Sequence, residues 1–298
     1  MRYSNSLPEY TEPLYRPPSE ASSLILQITE GCSHNKCTFC GMYITKKFKL
    51  KPVQDIKKEI DAISVDYASR VKRIFLADGD AVVYPIDRLV EILDYINLKF
   101  PSLERISSYV GSQEFVQKNI DDWKELSERK LRLLYFGLES GNDEVLALMN
   151  KGHRIDEFKD IVLKVGNFID LSIMVVLGGG GKKLSKAHAL DTASLLSEIN
   201  PKYAGLVTLF MRRNKNYFVN IETPTIGDLM NEAKMIISNI NGNGIIFRAN
   251  HVSNFISLAG VLSRDREKLV RQLDEVIANL KQKNLYDTYP EFYKENCQ

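Results

Sequence analysis

Cysteine is scarce and unevenly placed: there are four in 298 residues, with Cys32, Cys37 and Cys40 inside a stretch of nine and Cys297 one residue from the end. That distribution excludes the disulfide framework of a small secreted scaffold, which spreads many paired cysteines over a short chain. Neither sign of charge is in excess. Lys plus Arg (40) against Asp plus Glu (38) leaves +2, far from the basic balance of a dedicated nucleic-acid binder. No apolar run approaches the roughly 20 residues of a membrane helix, and Met1 to Tyr15 carries no basic-then-apolar leader pattern. The expectation is a cytoplasmic protein with no membrane partner. Fixed-period repeats and low-complexity segments are also missing. What is there, 44% hydrophobic and 26% charged residues with 17 Gly and 10 Pro, is the balance of a globular chain that can bury a sizeable core. The length suits one barrel-sized domain with an appendage.

The segment from Leu24 to Cys40 reads as an apolar strand that stops at Gly31 and passes into a loop carrying three thiols. Three chemistries use such a cluster. A zinc site would take His34 as its fourth ligand. A redox pair would use Cys37 and Cys40 and leave Cys32 unexplained. A 4Fe-4S cluster held by three thiolates would leave one iron without a protein ligand, open to a chelating cofactor. Spacing alone leaves zinc and iron–sulfur evenly balanced.

Beyond the loop, apolar runs alternate with segments of helical period. Val53, Ile56, Ile60 and Ile63 follow Pro52, and Ile86, Leu89, Val90, Leu93 and Ile96 follow Pro85. Strands are expected at 73–77, 105–109, 131–138, 171–177 and 203–209, after the first at 24–30, and a later one at 245–248. Six strands separated by helices predict parallel βαβ units, and six fit an incomplete barrel better than a closed eightfold one. The predicted class is α/β, a partial (βα)6 TIM-type barrel with a C-terminal α/β extension.

In a parallel barrel, ligands meet the carboxyl ends of the strands. Those ends deliver Cys32, Cys37 and Cys40; Asp78, Gly79 and Asp80; Ser107, Ser108 and Tyr109; Glu139 and Ser140; the run Gly178 to Gly181; and Arg212 and Arg213. Each feature alone is an ordinary turn, cap or tight connection. Together they suit an amino-acid-bearing nucleoside: a carboxylate such as Asp80 for an ammonium group, and Ser107 or Glu139 for ribose hydroxyls. Glycines at 178–181 would let backbone approach the ligand closely. The run lacks the spacing of a phosphate-binding Walker loop, and Gly137-Leu-Glu-Ser-Gly141 does not match a dinucleotide fingerprint.

Gly31-Cys32-Ser-His-Asn-Lys-Cys37-Thr-Phe-Cys40 and Tyr135-Phe-Gly-Leu-Glu-Ser-Gly141 resemble the radical S-adenosylmethionine (SAM) superfamily, from about residue 22 to residue 210. Four residues rather than the commoner three separate the first two cysteines. The pattern is most similar to the Elp3, MiaB and oxygen-independent coproporphyrinogen oxidase-like branch. Gly-Cys-Ser, Cys-Thr-Phe-Cys-Gly-Met-Tyr and Phe247 to Asn254 resemble stand-alone proteins of that branch.

The resemblance implies that Cys32, Cys37 and Cys40 hold a 4Fe-4S cluster whose open iron chelates SAM. It places Phe39 near the adenine. Asp78-Gly79-Asp80 stands where many members carry Gly-Gly-Glu, so that Asp80 would meet the SAM amino group, and Glu139 and Gly178, Gly179 and Gly180 stand at further SAM contacts. It divides the chain into an extension at 1–21, the radical SAM core at 22–211, and a C-terminal region at 212–298 acting as lid or substrate-recognition element.

The implied reaction is reductive cleavage of SAM to a 5'-deoxyadenosyl radical that abstracts hydrogen from a substrate. A low-potential donor such as flavodoxin or ferredoxin would supply the electron. Only Cys297 remains for any further cluster and no upstream cobalamin domain is seen, which disfavours sulfur insertion, methylthiolation and cobalamin-dependent methyl transfer. Arg212, Arg213, Lys182, Lys183 and Lys186 suit an acidic small-molecule or nucleotide substrate. Arg248, Asn250 and His251 follow the late strand, and His251 and Cys297 are the candidates for catalytic groups. A zinc-stabilised binding protein and an iron–sulfur electron carrier are the alternatives.

Overall fold

The computed structural model describes residues 8–211 and 214–293. Its strands are β1 (Leu24–Gln27), β2 (Thr29–Glu30), β3 (Lys49–Leu50), β4 (Arg73–Ala77), β5 (Arg105–Val110), β6 (Leu131–Glu139), β7 (Asp170–Leu177), β8 (Tyr203–Thr208), β9 (Ile246–Ala249) and β10 (Leu258–Val261). All but β2 and β3 join one sheet in the order β1-β4-β5-β6-β7-β8-β9-β10. Neighbouring strands pair parallel from β1 to β6 and from β7 to β9, and β10 pairs antiparallel to β9, as β3 does to β2. The mixed α/β class with a mostly parallel sheet is the one expected. Helices on the crossovers leave the strands buried on both faces, which is why β4 and β6 read as apolar runs rather than alternating ones.

Two details differ from the sequence reading. The late strand lies at 246–249 and pairs parallel to β8, so it extends the same sheet. β10 was not anticipated: Leu-Ala-Gly-Val has no alternation, and its place comes from pairing with β9.

The described residues fall into two compact units. The first comprises those up to Asn35, 42–136 and 163–170. Its helices bury the faces their period predicts, Ile56 and Ile60 from Val53–Asp61, and Leu89, Ile92, Leu93 and Ile96 from Ile86–Lys99. Buried Glu20 accepts hydrogen bonds from Tyr135 Oη and Arg105 Nη2, both at 2.7 Å. The second unit comprises 36–41, 137–162 and the described residues from 171 onward. Its helix Ile226–Asn239 begins in a reciprocal cap between Thr225 and Asp228 and buries Leu229, Met230, Ala233, Ile236 and Ile237. The helix Leu262–Gln282 buries Leu269, Leu273 and Ile277.

Candidate functional site

In the first unit β4 runs directly into Asp78-Gly79-Asp80. Asp78 is wholly buried, and its Oδ2 accepts from Lys46 Nζ at 2.5 Å and from the Gly31 amide at 2.8 Å. Lys46 also donates to the carbonyls of Thr11 at 2.6 Å and Pro13 at 3.0 Å, which ties the N-terminal segment to this loop. Burial lifts the Asp78 carboxyl above the usual carboxylate range despite Lys46 and Gly31. One oxygen of Asp78, expected at the cofactor, is thus committed to the fold. Gly79 donates its amide to the Gly31 carbonyl at 3.0 Å, and a Cβ on it would stand 2.8 Å from the Tyr43 ring and 3.1 Å from Cys32 Cβ. Only glycine lets the loop lie against Cys32 so closely.

Asp80 is also wholly buried and accepts from Ser33 Oγ at 2.8 Å. Burial, followed by the charge of Glu114 and a hydrogen bond with it, pushes Asp80 well above the ordinary range. Asp78 Oδ1, Asp80 Oδ1 and Tyr43 Oη are buried with no hydrogen-bond partner among the described residues. Such groups are costly unless something polar meets them. Ser107 is buried and donates to the Ile74 carbonyl at 3.4 Å, so its hydroxyl is spent inside the sheet. Tyr109 is half-buried, edge-on to Phe75 with centroids 5.2 Å apart.

In the second unit the loop 36–41 is docked on the end of the helix Asp143–Leu148. The Thr38 amide donates to the Met149 carbonyl at 3.0 Å, Thr38 Oγ1 to the Leu148 carbonyl at 2.7 Å, and Asn150 Nδ2 to the Lys36 carbonyl at 2.9 Å. Cys37 and Cys40 are partly exposed, and neither they nor Cys32 form a disulfide. Phe39 stands edge-on to Tyr217 at 6.3 Å, and its carbonyl accepts from Asn214 Nδ2. Glu139 ends β6 with φ +64°, a left-handed conformation unusual for a residue with a side chain. It pairs with Lys151 at 2.9 Å, with side-chain exposures of 10% and 14%. Burial works against the Lys151 ammonium, but Glu139, Cys37 and Cys40 outweigh it and raise its pKa.

The glycine run packs closely against neighbouring segments. A Cβ at Gly178 would meet Leu229 at 2.8 Å, at Gly179 the Met149 methyl at 2.2 Å, at Gly180 Leu184 at 2.9 Å, and at Gly181 the Glu222 carbonyl at 2.8 Å. At these four positions the space a side chain would take is filled by the protein's own chain. Gly178 and Gly181 also have φ of +80° and +58°. Beneath the run, buried Glu232 accepts from the Gly178 amide at 2.7 Å and Ser185 Oγ at 2.5 Å. His188 Nδ1 pairs with Ser140 Oγ at 2.7 Å, and its Nε2 lies 3.6 Å from Glu232 Oε1.

Arg248 and Asn250 are exposed. His251 Nδ1 is taken up by Ser253 Oγ at 2.8 Å and by the Ser253 amide at 3.2 Å, a local loop contact. Arg212, Arg213 and Cys297 lie outside the described residues. Among the described residues no group of three or more His, Cys, Asp or Glu is placed to hold a metal ion, and no helix is long and apolar enough to cross a membrane. Sequence reasoning missed Lys46, Glu114, Lys151 and Glu232, each brought to its partner by folding.

Residues 26–192, more than half the chain, match the family described as the radical SAM superfamily. The chain belongs to the radical SAM superfamily. Members of this superfamily use a 4Fe-4S cluster and SAM, and the chain is an enzyme of that family. It is 29% identical over 189 residues to a probable threonylcarbamoyladenosine tRNA methylthiotransferase of Methanothermobacter thermautotrophicus, covering 61% of this chain and 43% of the relative. It is 29% identical over 172 residues to a tRNA-2-methylthio-N(6)-dimethylallyladenosine synthase of Nitrosomonas europaea, covering 54% and 37%. The chain thus spans less than half the length of these relatives. Coproporphyrinogen III oxidase of Escherichia coli, a radical SAM enzyme, shares its fold with a TM-score of 0.55 at 16% identity, over 72% of this chain and 51% of that one.

Proposed function

We propose that Cys32, Cys37 and Cys40 hold a 4Fe-4S cluster, that SAM binds beside it, and that the enzyme abstracts hydrogen from a substrate still to be identified. The reading is carried by the family match, which includes all three cysteines and the strand ends from β1 to β7. The residues present fit the cofactors. Three thiols are soft donors suited to iron–sulfur chemistry. A single zinc ion would need several donors converging at about 2.0–2.3 Å, whereas a cube binds each thiolate at a separate iron. When bound, the reduced cluster and SAM supply the one-electron cleavage that yields a hydrogen-abstracting 5'-deoxyadenosyl radical.

The protein's part is to bind, orient and exclude water. Buried Asp80 and half-buried Glu114 offer a carboxyl pair to the SAM ammonium, whose charge favours ionisation of Asp80. Gly79 keeps that loop against Cys32. Glu232 holds the Gly178 amide and Ser140 is held by His188, which fixes the ends of β7 and β6. A low-potential donor such as flavodoxin or ferredoxin would reduce the cluster. The curated relatives act on tRNA by name, which supports a nucleotide substrate, with exposed Lys183 and Lys186 available to its phosphates, whereas Lys182 is paired with Asp228 at 3.6 Å and Glu222 at 3.9 Å. The proposal is confined to hydrogen abstraction.

Anaerobic reconstitution tests this. The expected result is about four iron and four sulfide per chain, a reduced-cluster spectrum altered by SAM, and 5'-deoxyadenosine released under dithionite but not by Cys37→Ala. A colourless protein indifferent to SAM, or undiminished release from Cys37→Ala, would overturn it.

A further inference from the structure

The loop between β9 and β10 is fastened to the end of β8 by side chains of its own. Asn254 uses both ends of its amide there: Nδ2 donates to the Leu206 carbonyl at 2.8 Å, and Oδ1 accepts from Thr208 Oγ1 at 2.9 Å. Ser253 Oγ accepts from the Thr208 amide at 3.1 Å. Thr208 and Ser253 are buried, so these bonds form away from water and hold the loop in one arrangement. The Asn254 backbone amide donates to the His251 carbonyl at 3.0 Å and closes the turn.

This network decides where the His251 ring carries its hydrogen. Nδ1 lies 3.2 Å from the Ser253 amide, which can only donate, and 2.8 Å from Ser253 Oγ. Because that hydroxyl accepts from Thr208, its own hydrogen is left to point at Nδ1. A hydrogen on Nδ1 would face the amide hydrogen, so Nδ1 stays bare and the hydrogen of the neutral ring sits on Nε2. Burial, which holds His251 below the usual imidazole range, acts in the same sense. Nε2 itself has no partner among the described residues and reaches solvent.

The place of the loop gives this donor a use. β8 runs parallel to β7 with Thr208 beside Leu177, and the Leu209 amide donates to the Leu177 carbonyl at 2.9 Å. Leu177 precedes the glycine run, so the loop stands at the carboxyl edge of the strands, where parallel barrels bind ligands. Two strand spacings, about 10 Å, separate β9 from β7.

We propose that His251 is a specificity-determining residue: its Nε2–H, fixed in tautomer and orientation by Ser253 and Asn254, donates a hydrogen bond to a carbonyl oxygen or ring nitrogen on the base of the nucleotide substrate. The inference rests on the nucleotide reading above. A neutral donor suits an uncharged acceptor, whereas phosphate is met by cations. Unpaired bases present such acceptors along their edges. His251 is then a recognition group rather than an acid, with Ser253 and Asn254 as its positioning residues.

The test uses full-length protein, reconstituted and saturated with SAM, and labelled single-stranded RNA probes of equal length: oligo(A), oligo(C), oligo(U), a mixed strand containing G, and an abasic ribose–phosphate strand. Fluorescence anisotropy is expected to show wild type binding at least one base-bearing strand more tightly than the abasic one. His251→Phe is expected to shrink that ratio about tenfold, the scale of one hydrogen bond, and His251→Gln, which keeps an N–H donor, by less. NMR of wild type carrying isotope-labelled histidine is expected to show Nε2 protonated and Nδ1 bare at His251, its signals assigned by their loss in His251→Gln. An unchanged ratio in His251→Phe, or a His251 ring protonated on Nδ1, would overturn the inference and leave the nucleotide reading standing. A wild type that prefers no base-bearing strand would instead defeat the nucleotide reading, and the inference with it.

Discussion

Asp80 and Glu114 meet over Gly111: a Cβ on that glycine would stand 2.4 Å from Asp80 Oδ2 and 2.5 Å from Glu114 Oε2. Burial disfavours the ionised form of Asp80, and Glu114 so close beside it adds to the cost, which is why Asp80 holds its proton well above the usual range. An ammonium ligand would expel that proton. SAM binding measured calorimetrically in buffers of different ionisation enthalpy is expected to show net proton release in wild type and less in Asp80→Asn. Equal proton release in the two proteins would rule out the pair as the ammonium site.

Burial raises Glu232 to about 7 from an unfolded value near 4.5, outweighing the hydrogen bonds from Ser185 and Gly178, with Asp228 adding to the rise. A raised folded pKa gives stability that is present at low pH and lost as pH climbs from about 4.5 through 7, roughly 3 kcal/mol in total. His188, lowered by burial to about 4, works in the opposite direction below its unfolded value of 6.5. The difference between Glu232→Gln and wild type isolates the carboxyl. Urea unfolding should show that difference shifting in favour of the variant between pH 5 and pH 8, and a pH-independent difference would contradict the assignment.

Glycines here divide by what surrounds them. At Gly141 a Cβ would stand 2.5 Å from Thr192 Cα and 2.6 Å from Thr192 N, backbone atoms of a buried helix that cannot yield. Gly244 has open space but φ +74°. Gly141→Ala is expected to cost about 3 kcal/mol through overpacking, and Gly244→Ala about 1 kcal/mol through backbone strain alone. Urea midpoints check the order, and a larger loss at Gly244 would refute it.

Lys46 and Asp78 form a buried pair with side-chain exposures of 5% and 0%. Lys46→Met leaves the carboxylate without its cation and is expected to destabilise by about 3–5 kcal/mol. Adding Asp78→Asn should recover part of that loss in the double variant. Additive losses in a thermal or urea double-mutant cycle would mean the two residues do not act as a pair.

The strands were legible in the sequence because parallel strands buried on both faces leave apolar runs such as Leu131 to Leu138 that end in polar or glycine residues. β10 was not, since Leu258 to Val261 is a strand by virtue of pairing with β9. The cysteine spacing was legible for a different reason: a ligand set must be local to be recognised as a motif. Glu114, Lys46 and Glu232 act across 34, 32 and 54 residues, on Asp80, Asp78 and Gly178 in turn. No periodicity announces such pairs. Lys151 had one faint signal, the Asn150-Lys151-Gly152 helix ending, which fixes where the chain turns but not what the ammonium meets. The glycine run was noticed for its composition, yet its neighbours, Leu229, Met149, Leu184 and Glu222, come from four separate segments.

The hydrogen bond from Asn214 to the Phe39 carbonyl joins residues 175 apart in the chain. During synthesis, Cys37 and Cys40 leave the ribosome long before the residue that steadies their loop exists. The loop that carries these thiols therefore reaches its final setting only after residue 214 has been made.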